Sequence, residues 1–133
     1  MKNSLEKLFS YLSQNTIHIL STSADNIVHS RPIGSMILAR DRIYYCMNKN
    51  KAMYTQLCIN NQICICVCLE NYTWVRIYAK VCFDDDLSVK QIFIDKNKTR
   101  FQNAKDDNFA IFYLSDIKAE IHKGLEIEVL ELK

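Results

Sequence analysis

Several groups of residues in this chain have types and spacings that could do chemistry, and each also has an ordinary structural explanation. Cys64, Cys66 and Cys68 alternate in "ICICVC". On a strand they would share one face, with neighbours roughly 6–7 Å apart from a rise of about 3.3 Å per residue. Zinc sits about 2.3 Å from each sulfur, so its thiolates must lie under about 4 Å from one another. Three consecutive same-face positions make a poor metal cage. The row is therefore expected to be buried, reduced core thiol, with cysteine acting as a small hydrophobe. "DDD" at Asp84 to Asp86 suits a helix-capping turn better than a divalent cation. His18, His29 and His122 lack Cys, His or Glu at metal-site spacing and read as structural or surface residues, so no metal is expected. Proton donors are not obvious either; Tyr45, Tyr78 and His29 are candidates only.

The remaining group points to an anion. "HSRPIGSM", His29 to Met36, holds the only proline and one of the two glycines of the chain. Within an otherwise extended run, the proline implies an edge or a bulge, because it cannot donate to a ladder. The glycine lets another group approach the backbone, and Arg31 offers a planar fork suited to phosphate. Further on, "NKNK" at Asn48 to Lys51 precedes a short helical pattern. A helix N-terminus carries free N–H groups and positive dipole charge, a natural anion seat. Alone, each piece reads as a bulged strand or a solvated turn; together they make a phosphate clamp.

These residues need elements to hold them. Asn3 to Leu12 reads as an amphipathic helix with Leu5, Leu8, Phe9 and Leu12 at helical spacing and Asn3 with Glu6 as a capping box. "TIHILSTS" and "IVHSRPIGSMIL" read as a hairpin around "ADN", and "RIYYCM" as a third strand after a turn at Ala39 to Asp41. A short helix follows near Lys51, with Met53 and Leu57 on one face. "QICICVCLE" and "TWVRIYAKVCF" pair across Asn71 and Tyr72. A third helix carries Val89, Ile92 and Phe93, and "FAIFYLS", "KAEIH" and "LEIEVLEL" close the chain as separate strands. Six to eight strands in hairpin order with three short helices predict a mainly-β fold, a small antiparallel barrel decorated by helices.

Composition bounds the rest. The 133 residues, 49% hydrophobic and 24% charged, suit one globular domain spanning 1–133. A net charge of +2 with scattered basic residues gives no reason to expect nucleic acid or membrane as a partner. The leading stretch breaks its apolar residues with charges and does not read as a signal peptide, so a cytoplasmic, thiol-reducing setting is expected. There is no G-x-G-x-x-G, P-loop or G-x-S-x-G motif. An enzyme built this way would leave the chemistry to a cofactor.

The order strand, turn, "RPIG", strand "IYYC", "NKNK", helix "MYTQL", "INN", strand, turn, "TWVRIYAKV" resembles the pyridoxamine 5′-phosphate oxidase-like FMN-binding split-barrel family, and more closely its short general-stress and nitroimidazole-resistance-like members. The resemblance covers about Thr16 to His122, and "WVRIYAKV" followed by "FDDD" and a helix is especially typical. It implies a six-stranded antiparallel split barrel of FMN-binding type, forming a homodimer with FMN sites at the subunit interface. By the same carry-over, Arg31 and Lys51 hold the FMN phosphate. Pro32, Ile33, Gly34, Ser35 and Met36 run beside the isoalloxazine ring, with Gly34 letting it approach. Cys46, Met47 and Asn48 continue that wall. Trp74, with Arg76, reaches the flavin from the other subunit, and Tyr113 lies near the ring; a core residue is the competing reading of Trp74.

The resemblance thus implies a flavoprotein, an FMN-dependent oxidoreductase with a small-molecule substrate or electron donor. Departures narrow it. Met36 stands where true pyridoxamine oxidases carry a basic residue, and "EIEVLELK" lacks their substrate-binding Arg-x-His, so that oxidation is not expected. "NKNK" lacks their Ser-Arg-Lys pattern, leaving open which of Asn48, Lys49, Asn50 and Lys51 meets the phosphate. The alternatives are a non-catalytic flavin-binding barrel, one holding haem or a deazaflavin, and a bare structural dimer.

Overall fold

The structure is a computed structural model that describes residues 3–133. Met1 and Lys2, which open the leading stretch, lie outside it. Helix α1 (Ser4–Leu12) starts where Asn3 accepts a hydrogen bond from the Glu6 amide at 2.8 Å, a cap worth about 1 kcal/mol. Leu8 and Leu12 carry its buried face. The apolar period then changes to two and the chain lays down β1 (His18–Ala24), β2 (Ile27–Ile33), β3 (Ile37–Ala39) and β4 (Arg42–Asn48). Helix α2 (Ala52–Ile59), β5 (Gln62–Cys68), β6 (Thr73–Asp84), α3 (Leu87–Asp95), β7 (Phe109–Lys123) and β8 (Glu126–Leu132) complete it.

A chain with two glycines must reverse direction on other residues. Asp25–Asn26, Arg40–Asp41 and Asn71–Tyr72 all hold φ between 50° and 63°, the twist that tight hairpins need. Asp and Asn tolerate that region well. Arg40 and Tyr72 do not, and each stores strain of order 1 kcal/mol.

The eight strands form one antiparallel sheet in the order β2-β1-β5-β6-β7-β4-β3, with β8 also pairing β7. Eight strands fall within the six to eight read from the residues and exceed the six that the resemblance implies. The extended run of "RPIGSMIL" breaks at residues 34–36 into β2 and the three-residue β3, and β8 adds a strand beside the second half of β7. "FAIFYLS" and "KAEIH" are not separate strands but one strand of 15 residues. It continues through Asp116 at φ 48° and a register shift opposite Tyr78 to Lys80.

Curling without closing, the sheet wraps a core of Leu20, Ile43, Tyr45, Ile65, Val75, Ile77, Phe112 and Ile121, sealed by α1 and α2. A second core under α3 joins Tyr44, Val89, Phe93, Phe109 and Ile111. Strand β4 belongs to both, so neither of its faces meets solvent over most of its length.

One expectation about burial fails here, and so does one competing reading. On β5 it is Ile63, Ile65 and Val67 that enter the core. Cys64, Cys66 and Cys68 share a face as expected, but it is the outer one; Cys68 is exposed and the others are half-buried. The alternation was legible but its phase was not, because cysteine and isoleucine are both apolar and period two alone does not say which set points inward. Trp74 likewise stays out of the core, half-buried on the outer face of β6.

His18 is fully enclosed. Its Nε2 faces the carbonyls of Leu12 at 2.9 Å and Asn15 at 2.8 Å, and its Nδ1 lies 2.8 Å from the Tyr45 hydroxyl. Two carbonyls on Nε2 require the proton there, so Nδ1 accepts from Tyr45, and the ring staples the end of α1 to β4. Burial holds its pKa below the ordinary value. The unfolded chain therefore takes up this proton first as pH falls below about 6.5, and stability drops from that point downward. Melting temperature is expected to fall on acidification through that window in the wild type and to respond less in His18→Gln. The variant itself should lose about 1–3 kcal/mol from orphaned partners.

Candidate functional site

Register on the β1–β2 hairpin sets Arg31 opposite Leu20, on the face that looks toward α2. Its Nη1 donates to the Leu20 carbonyl at 3.2 Å, and its Nη2 donates to Oε1 of Gln56 on α2. The same Gln56 oxygen accepts from Thr22 Oγ1 at 2.6 Å. Gln56 thus ties α2 to both strands of the hairpin. No feature of the sequence singles it out, since its role exists only once the hairpin register brings Arg31 alongside the helix.

The start of α2 is built by the "NKNK" turn. The Asn48 carbonyl accepts from the Lys51 amide at 3.1 Å, and Asn48 Oδ1 accepts from the Asn50 amide at 2.9 Å. Lys51 takes the N-cap position, and its side chain makes no capping hydrogen bond. Among the described residues, Arg31, Lys49 and Lys51 have no carboxylate within ion-pair distance. The "NKNK" turn begins the helix, and Arg31, far from it in sequence, bonds the same helix further along at Gln56.

The segment from Pro32 to Met36 joins β2 to β3. Pro32 lies on β2, at the end of the sheet order, where its missing N–H costs no central ladder bond. Ile33 ends that strand half-buried. At Gly34 a Cβ would stand 3.1 Å from the Thr16 carbonyl oxygen. The close approach anticipated there is thus made by the chain's own backbone. Ser35 Oγ accepts from the Cys46 amide at 3.0 Å and donates to the Cys46 carbonyl at 3.2 Å, replacing the ladder where the strand is interrupted. Met36 and Met47 point into the core, so at both positions only main chain is left for a ligand. The Met36 carbonyl accepts from Lys98 Nζ at 3.0 Å. Cys46 turns toward the α3 side, its Sγ 3.6 Å from the Lys98 carbonyl, and burial pushes its thiol pKa up. Lys98 was missed in the sequence. Its signal, a second "KNK" at 96–98 after a helix, is too common to weigh alone.

Two further candidates lie elsewhere. Tyr113 pairs with Tyr44, whereas Asn48 pairs with Phe109, which puts Tyr113 toward the other end of β4 from the "NKNK" turn. Its ring meets Tyr44 edge-on at 5.5 Å, with the Arg42 guanidinium 4.0 Å above it. Trp74 stacks flat on His122, 3.8 Å between ring centroids and 7° between planes. Arg76 lies 4.8 Å from the indole, and His122 and Arg76 each approach Glu120 Oε1 at 3.2 Å. Those two contacts, the histidine's first, hold the Glu120 carboxyl below the usual range.

No protein-family model and no curated protein sequence matches the chain. Solved structures do. A NimC/NimA family protein from Clostridium acetobutylicum superposes with a TM-score of 0.90 at 21% identity, over 97% of this chain and 92% of that one. A protein related to general stress protein 26, of the pyridoxinephosphate oxidase family and from the same organism, gives 0.71 at 14% identity, over 98% and 96%. A heme-binding protein from Mycobacterium smegmatis gives 0.75 at 9% identity, over 98% of this chain and 59% of that one. At these identities the likeness shows the fold, and the fold is the split barrel of the pyridoxamine phosphate oxidase-like kind.

Trp74 is the single tryptophan of the chain, so its emission reports the stack directly. An imidazole stacked on the indole at 3.8 Å is placed to quench it, so Trp74 emission is expected to rise in His122→Ala, and unchanged emission would show that the stack is not held in solution.

Proposed function

We propose that this chain is an FMN-binding flavoprotein and an oxidoreductase, working in the cytoplasm as a homodimer with its flavin sites at the subunit interface. One observation carries the reading: Lys49 and Lys51 flank the start of α2 and Arg31 bonds Gln56 further along the same helix, all three without a carboxylate partner among the described residues. That donor set suits a phosphate, with the Arg31 fork and the first-turn amides of α2 as its seat. The main chain from Pro32 to Met36 and from Cys46 to Asn48 would then face the ring. Lys98 adds positive charge at the Met36 carbonyl, the kind of charge that eases reduction of a flavin. A bound flavin would supply the electron transfer; these residues would bind it, orient it and shape access for a small-molecule substrate or electron donor.

A similar fold in a heme-binding protein raises the haem alternative. Among the described residues, both nitrogens of His18 are engaged within the fold and His122 is stacked on Trp74 and bonded to Glu120. Of the three histidines only His29, on β2, is left as an axial ligand, and the cations at α2 are the reason to prefer the flavin.

The outer face of the sheet supports the dimer. Val28, Ile127, Val129, Tyr78 and Ile19 are all at least 40% exposed there, beside the half-buried Cys66 and Trp74. An apolar stretch of that extent suits a partner rather than water, and a second copy would bring Trp74 and Arg76 to the neighbouring flavin.

FMN is expected to bind more tightly than riboflavin. Arg31→Gln should weaken FMN by about tenfold or more, since a bond to a charged group contributes about 1.5–3 kcal/mol, and should leave riboflavin unchanged. Fluorescence titration of both ligands checks this, and equal wild-type affinities would refute the clamp. Thiol labelling tests the dimer: exposed Cys58 on α2 should react at once, while Cys66 should react slowly and speed up on dilution. A Cys66 rate independent of dilution would count against a dimer on this face.

A further inference from the structure

A cavity lies at the other end of β4 from the "NKNK" turn, and the case for it is independent of the flavin reading. It measures about 310 Å³, at the lower end of the range for small-molecule sites. Ile43, Leu114 and Ile117 make an apolar floor, each under 5% exposed, and Leu5 and Leu132 extend it. Arg42 and Tyr113 stand on its wall.

The two arginines of the β3–β4 turn are used differently. Arg40 is committed, bonded to Asp86 at 3.0 Å and to Ser88 Oγ at 2.7 Å, and so pins the turn to the start of α3. Arg42 has no carboxylate within ion-pair distance among the described residues. Its guanidinium lies over the Tyr113 ring and bonds the Tyr44 hydroxyl, which itself donates to Asp84 at 2.7 Å. A guanidinium has five N–H donors, so with one of them on Tyr44 it keeps others for a planar anion. Asp41 and Lys133 share the rim with opposite charges, so neither sign dominates there and Arg42 sets the preference.

We propose that this cavity binds a small organic carboxylate with an apolar body, the carboxylate on Arg42 and the body against Ile43, Leu114 and Ile117. The fork selects a carboxylate by two parallel hydrogen bonds, and the floor selects an apolar body by the area it removes from water. An alcohol of the same shape keeps the second contribution and loses the first.

The test is a methyl-resolved NMR titration of the full chain with 3-phenylpropionate and, as its neutral twin, 3-phenylpropanol. Expected are shifts at the Ile43, Leu114 and Ile117 methyls with both ligands and tighter binding of the acid. Arg42→Gln should weaken the acid at least tenfold and leave the alcohol as it was. Arg42 is exposed, so the variant keeps the fold, and an unchanged methyl spectrum verifies it. Equal affinity for acid and alcohol, an acid unaffected by Arg42→Gln, or shifts that bypass these three methyls would each overturn the proposal.

Discussion

A strand covered on both faces has no free side with which to adapt, and β4 is such a strand. Ile43, Tyr45 and Met47 fill the barrel core, while Tyr44 and Cys46 lie under α3. Burying side chains of this size contributes about 1.5–3 kcal/mol each, so a one-residue slip would exchange two packed sets at once. That fixed strand positions what surrounds it. It holds His18 through Tyr45, it receives the Ser35 crosslink at Cys46, and it ends in Asn48, where the turn into α2 begins.

From that constraint follows the split between the two ends of β4. At the Asn48 end two lysines flank the start of a helix that Arg31 bonds further along; at the Arg42 end the chain frames a cavity beneath a tight turn. In both places a rigid wall offers mostly main chain or a single side chain of defined direction, which is the form a ligand site takes when side chains on one face are already committed to packing. Gln56 and Lys98 show the same logic. Each matters through the element it ties down, α2 to the hairpin or the loop after α3 to Met36.

Much of this was legible in the residues. Hairpin order, the proline at the sheet's end, the cap at Asn3, the Asp86 cap of α3 and the short helix after "NKNK" all follow from local chemistry that the fold leaves alone. What could not be read depends on long-range packing. Cysteine alternates with isoleucine on β5, and only the neighbours on β1 and β6 decide that isoleucine goes inward. At Gly34 the space a Cβ would need is taken by the Thr16 carbonyl, a contact between strands' ends that only the fold brings about. Resemblance set Tyr113 near the ring and Trp74 at the partner's flavin; the register puts Tyr113 at the other end of β4 from the "NKNK" turn and Trp74 on the outer face.

The clamp at α2 is the center of the functional account, and the visible absorption spectrum tests it most directly. Protein incubated with equal amounts of FMN and haemin and then gel-filtered should carry flavin absorption, released as FMN on denaturation. A haem spectrum, or a colourless protein with all the FMN in the small-molecule fraction, would contradict it.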